Sequence, residues 1–269
     1  RRRQSRRDAD SEDSEDSEQD EDGDVNMNGG AANEEAQLVK KLVRYALACE
    51  YSRTSIKRDG IRDKVLGNNA RSFKRVFDGA QKQLQDVFGM EMVELPVKEK
   101  RTLKEKQQAT ARKAKSQGAT SSRQYILTSI LPSAYKTNSI IAPSRTPSAS
   151  EEAGYVGFYT FVISIIALSG GELSDVKLRR HLTRMNAKDN LPFGKTDDIL
   201  TRMVKQAYVD KVVEKNDAGE EPTVSWCVGS RGRVEVPPQS IAGFAQEVFG
   251  EQVDEDFQKR LYKSLGLQE

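Results

Sequence analysis

The sequence predicts a mainly α fold with small β-hairpin wings (α+β), arranged as two winged helices in tandem. Three observations lead there. An apolar helix, a short capped helix, an amphipathic helix and a β-prone hairpin follow one another over residues 38–131, and the same order returns over 154–236. A three-helix unit closed by a two-stranded wing is a helix-turn-helix variant that offers one helix to a DNA groove or to a partner. No nucleophile, metal or phosphate-loop signature accompanies the two copies, which points to binding rather than chemistry.

The first helix carries Leu38, Val39, Leu42, Val43 and Ala46 on one stripe, with Lys40, Lys41 and Arg44 off it. Asp59 is placed to cap a short helix bearing Ile61, Val65 and Leu66, which Gly67 ends. A third helix, opening near Asn69, sets Phe73, Val76, Phe77, Ala80, Leu84, Val87 and Phe88 at helical spacing, and Gly89 stops it. Residues 90–97 and 125–131 are β-prone and pair around a long basic insertion, 98–124. Such an insertion at a wing tip costs little, because closure entropy grows only logarithmically with length. Pro132, Pro143 and Pro147 mark the connection to the second copy.

In the second copy, 155–168 is apolar nearly all round, as a core helix is, and Gly170-Gly171 ends it. Ser174 caps a helix with Leu178, Leu182 and Met185 on one side and Lys177, Arg179, Arg180 and Arg184 on others. Thr196 is read as the cap of the next, whose inward face is Ile199, Leu200, Met203, Val204 and Ala207. Asp197 and Asp198 complement its positive end. Strands at 208–215 and 223–228 flank Asn216-Asp217-Ala218-Gly219, a turn sequence. Two helices follow Pro237-Pro238, one with Ile241, Phe244, Ala245 and Val248 inward, the other with Phe257, Leu261 and Leu265. The organisation expected is a disordered tail (1–36), a first winged helix (37–132), a linker (133–153), a second winged helix (154–236) and a helical extension (237–269).

The net charge of +2 over 269 residues hides segregation. Arg1, Arg2, Arg3, Arg6 and Arg7 precede an acidic, serine-bearing block at 8–24, and a Lys/Arg-rich stretch fills 98–123. The acidic block reads either as a solubilising segment or as an interaction tail open to phosphorylation at Ser11, Ser14 and Ser17. Cys49 and Cys227 lie in apolar segments and are expected as buried thiols of a reducing compartment. No apolar signal core is seen at the start, and the 155–168 run is shorter than the roughly 20 residues that cross a bilayer, so a soluble intracellular protein is expected.

Three stretches carry a family resemblance. Leu38-Val39-Lys40-Lys41-Leu42-Val43 leading into 54–66 resembles the opening of the MAGE homology domain, as does the helix at 157–171 followed by Glu172-Leu173 and a basic helix. Most specific is Gln206-Ala207-Tyr208-Val209, a hairpin, then Trp226-Cys227-Val228-Gly229-Ser230-Arg231, similar to the family's "Tyr-Leu … Trp-Gly-Pro-Arg" close of its second winged helix. The likeness spans about 200 residues. The basic wing insertion and acidic start make the chain look like the fungal branch that supplies a non-SMC element to the SMC five-six genome-maintenance complex. That resemblance implies a nuclear, chromatin-associated scaffold without enzymatic activity or cofactor. It would bind a kleisin subunit and double-stranded DNA through its second winged helix. Through its first it would dock a RING-type ubiquitin-ligase subunit, with SMC heads contacted indirectly and no membrane involved.

Under that resemblance, RING docking falls to Leu38, Leu42, Val43 and Ala46, with Val43 where vertebrate relatives have a second leucine. Phe158, Phe161, Val162 and Ile165 are the candidates for receiving an amphipathic kleisin helix, since a helix apolar on every side needs neighbours on every side. Both sets read equally as core. For DNA, charge comes first: Arg179, Arg180, Arg184, Lys188, Lys195, Arg202, Lys205, Arg231 and Arg233 form the candidate phosphate-contacting set, a solvated basic face being the alternative. Few side chains there are suited to reading bases, so non-specific duplex binding is expected. A stand-alone winged-helix transcriptional regulator is the competing reading. His181, the only histidine, lies among basic residues rather than beside a nucleophile, and no Cys/His group has zinc-ligand spacing.

Overall fold

The computed structural model describes residues 29–97, 121–136, 149–214, 222–250 and 253–267. The acidic block 8–24, nearly all of the basic insertion, the connecting residues 137–148 and the turn at 216–219 lie outside the described residues.

Two winged-helix modules are present, each with a three-stranded antiparallel sheet. The first runs α1 (Gly29–Tyr51), β1 (Ile56–Lys57), α2 (Arg58–Ile61), α3 (Phe73–Gln83), β2 (Met90–Glu94) and β3 (Gln124–Ser129). Its strand order is β1-β3-β2, with Ile56 opposite Tyr125 and Met92 opposite Leu127. The second runs α4 (Ala149–Leu168), β4 (Glu172–Ser174), α5 (Asp175–Arg184), a small β5–β6 hairpin (Asn190–Leu191, Gly194–Lys195), α6 (Thr196–Lys205), β7 (Val209–Glu214) and β8 (Thr223–Val228). Its sheet has the matching order β4-β8-β7. Then come α7 (Ser230–Glu235), α8 (Pro238–Phe249) and α9 (Glu255–Leu265).

Each module has its own core. Leu42, Ala46, Ile61, Val76, Ala80 and Leu84 fill the first, Val162, Ile163, Ile166, Leu178, Leu182 and Met203 the second. Each fully buried Leu or Ile among them contributes about 1.5–3 kcal/mol relative to exposure. Ala242, Ala245 and Leu261 form a small third cluster between α8 and α9, and both helices pack on α4. Cys49 and Cys227 are buried free thiols.

Some elements differ from the sequence reading. Helix α1 starts at Gly29, inside the stretch expected to be disordered. Ala and Glu at 31–36 are good helix formers without apolar periodicity, and Glu35 pairs with Arg75 of α3 at 3.5 Å. Val87 and Phe88, expected inward, are 66% and 40% exposed. The helix widens into a π turn at Leu84–Phe88 and rotates them off the stripe before Gly89 caps it in the left-handed conformation. Neither Asp59 nor Thr196 is a cap: Lys57 and Lys195 hold those positions, without side-chain hydrogen bonds. The fully buried Thr196 hydroxyl donates instead to the Ala187 carbonyl at 2.9 Å, tying the loop after α5 to the start of α6. Ser174 does cap α5, accepting from the Lys177 amide. With its first turn, α4 is 20 residues and, by length and composition alone, long enough to span a membrane. Here Tyr155, Tyr159, Val162, Ile163 and Ile166 line the second module's core.

Candidate nucleic-acid interface and the seam between the modules

The basic residues of the second module divide by exposure. Arg180 and Arg184, one helical turn apart on α5, are exposed, as are Lys188, Lys195 and Lys205. Arg179, Arg202 and Arg233 are half-buried. The Arg179 side chain is held by Asp197 at 2.7 Å and by Asp175 at 3.6 Å. Asp175 also accepts from the Trp226 indole N–H at 2.8 Å. Arg179, Asp197 and Trp226, with Leu200, Thr201, Val204 and Lys211, line an open groove of about 360 Å³ between the helices and the wing. The Arg202 guanidinium lies 4.1 Å from the centroid of the Tyr155 ring, while the Tyr155 hydroxyl donates to Gln206 Oε1 at 2.6 Å. The sequence places cations at the last turn of α6; the structure adds that one of them is held against an aromatic face.

Arg231 corrects the sequence reading. It is 1% exposed and cannot meet phosphate. Its Nη2 lies 2.6 Å from Glu50 of the first module and its Nε 2.5 Å from Glu235, one turn along α7. The chain reaches this position because β8 ends at Val228 and the chain turns at Gly229 over the α6–β7 corner. The Gly229 amide donates to the Tyr208 carbonyl at 2.9 Å and the Arg231 amide to the Ala207 carbonyl at 3.0 Å. A Cβ on Gly229 would sit 2.2 Å from the Ala207 oxygen, and one on Gly232 2.4 Å from the Tyr208 oxygen. Only glycine lets the backbones approach that closely.

Arg53 crosses the same seam from the other side. It follows α1 with φ +50°, a left-handed conformation rare outside glycine, and is 8% exposed. Its guanidinium pairs with Glu152 of α4 and donates to the Tyr208 hydroxyl at 2.5 Å; that hydroxyl donates in turn to Glu235 Oε2 at 2.7 Å. Tyr159 stacks on Tyr208 at 4.1 Å. Burial holds Tyr208 well above its ordinary pKa, so it remains a neutral donor. Burial works against the charge on Arg231, but Glu235, then Tyr208 and Glu50, overcome it and the net shift is upward. For Glu50 burial wins, raising its carboxyl above the usual value, with Arg231 pulling only partly back. The seam is therefore a buried polar clasp between modules. Sequence reasoning missed it, apart from the Tyr208 and Arg231 of the quoted motif, which both turn inward to it.

The apolar partner candidates are largely core. Leu42, Val43 and Ala46 are 0%, 4% and 0% exposed, and Leu38 is half-buried. Phe158 and Val162 face the second core, while Phe161 and Ile165 are half-buried. The neighbour assigned to a partner helix is supplied in part by α8 and α9 of the same chain.

A family model of the MAGE homology domain matches residues 42–239. The chain belongs to the MAGE homology domain family. The match begins in α1 and ends just inside α8, so it takes in both modules and the clasp. Among solved structures, a chain of the "Nse1-Nse3-Nse4 complex" is similar with a TM-score of 0.65 and 19% identity, over 87% of this MAGE chain and 98% of that chain. At that identity the likeness is one of fold. No curated protein matches.

Proposed function

We propose that this MAGE chain is a non-catalytic scaffold subunit of an SMC five-six genome-maintenance complex, acting in the nucleus on chromatin. It bridges a RING-type ubiquitin-ligase subunit and the kleisin, and binds double-stranded DNA without sequence preference through its second module. The observation that carries the reading is fold likeness, over nearly the whole of that chain, to a member of a complex named for three non-SMC elements. The family match over both modules supports it.

The clasp supports a bridging role physically. Two modules joined by buried ion pairs present their outer surfaces at a fixed spacing, as a bridge requires and a flexible tether does not provide. Exposed Arg180, Arg184, Lys188, Lys195 and Lys205 supply sequence-independent attraction to phosphate through counterion release. For the apolar docking sites, half-buried Leu38, Phe161 and Ile165 are what the candidate sets leave accessible.

Co-expression with a RING-type and a kleisin subunit tests the bridge: a stoichiometric three-protein assembly is expected, and its absence would count against it. Duplex binding separates the competing regulator. Equal affinity for unrelated duplexes, falling steeply with salt, supports the scaffold; selection of one sequence supports the regulator.

A further inference from the structure

We propose that Arg53, a buried residue of the first module, positions the duplex-binding face of the second by holding Tyr155, the aromatic platform on which Arg202 rests. The proposal rests on the reading of the second module as the one that binds DNA.

The Tyr155 ring is fully buried and has two guanidiniums against it, Arg202 at 4.1 Å and Arg53 at 5.7 Å from its centroid. Its hydroxyl grips Gln206, one turn beyond Arg202. Tyr155 thus fixes the last turn of α6, where Arg202 and Lys205 lie. What fixes Tyr155 comes from the other module. Arg53 pairs with Glu152, one turn before Tyr155 on α4, and binds the Tyr208 hydroxyl just after α6. It braces the start of α4 against the end of α6. Its backbone, left-handed at φ +50°, is a conformation an L residue keeps only when its surroundings hold it there. Here the side-chain anchors do so. Being 8% exposed, Arg53 does not touch phosphate, so any effect it has on DNA passes through the residues it holds.

The test uses the full chain and a short mixed-sequence duplex, with affinity measured across a salt series. Arg53→Asn is the main variant, because asparagine tolerates the left-handed backbone while lacking the guanidinium. Gln206→Ala is the second, loosening Tyr155 from α6 without emptying the seam. We expect Arg53→Asn to lose about threefold in affinity, the size of a single cation–π contact. Its salt slope should fall by about 0.9, one phosphate contact. Adding Arg202→Ala to Arg53→Asn should cost nothing further, and Gln206→Ala should give a smaller loss of the same kind. Wild-type affinity and slope in a folded Arg53→Asn chain, or losses that simply add with Arg202→Ala, would overturn the positioning role. Should Arg53→Asn fail to fold, an unchanged Gln206→Ala would overturn it. A wild-type chain without salt-dependent duplex binding would overturn both this role and the reading beneath it, which keeps the two failures apart.

Discussion

Arg231 shows how much a single side chain's surroundings decide. On sequence it is one more cation after a wing; in the fold it is the buried centre of a six-residue polar group with Glu50, Glu235, Tyr208, Arg53 and Glu152. Replacing it with methionine leaves two carboxylates without their counter-charge, and removing one member of such a buried pair costs about 3–5 kcal/mol. Denaturant unfolding should show that loss for Arg231→Met and near-wild-type stability for the exposed Arg180→Met. Equal effects would mean the clasp contributes little. Glu50 supplies a pH signature. Its raised pKa means the folded chain holds that proton more tightly than the unfolded one, so ionising Glu50 weighs against the fold. The stability of wild type minus that of Glu50→Gln should therefore fall as pH rises upward from the ordinary value of 4.5, and then level off. A difference that grows with pH over that range would contradict the assignment.

At the scale of elements, Gly229 and Gly232 govern whether the chain can turn from β8 into α7 at all. Gly229→Ala would place a methyl against a backbone oxygen that cannot swing aside, and should cost about 3 kcal/mol, the upper end for overpacking. Thermal melting of that variant beside Gly243→Ala, which meets open space, checks it. The long helices and the paired wing strands were legible because their periodicities run over enough residues to register. Strands β1 and β4, of two and three residues, were not, since alternation needs more positions than that. Nor was the site fully legible. Arg180, Arg184 and Lys205 stand exposed as charge patterning implies, whereas Leu42, Val43 and Ala46 are core, because one apolar stripe looks alike whether it faces its own sheet or a partner. The clasp left almost no trace, as its members come from α1 and the turn after it, α4, the α6–β7 corner and α7, and only the fold brings them together.

Across the whole molecule, the two modules share one plan but differ in what their surfaces expose. The first presents exposed Val87, Phe88 and Ile130 around the base of its hairpin; the second presents its cations. Charge reversal at Arg180 and Lys205 together should lower the salt slope of duplex binding by about two phosphates' worth while leaving protein partners bound. A titration in which both DNA and partner binding collapse would place the two functions on one surface instead. The measurement that bears most directly on the scaffold account is the mass of the assembly formed when the full chain is co-expressed with a RING-type subunit and a kleisin. One copy of each in a single complex, with the other two failing to associate once this chain is left out, is the predicted result. A RING–kleisin pair that forms without it, or a chain that purifies alone, would contradict the account.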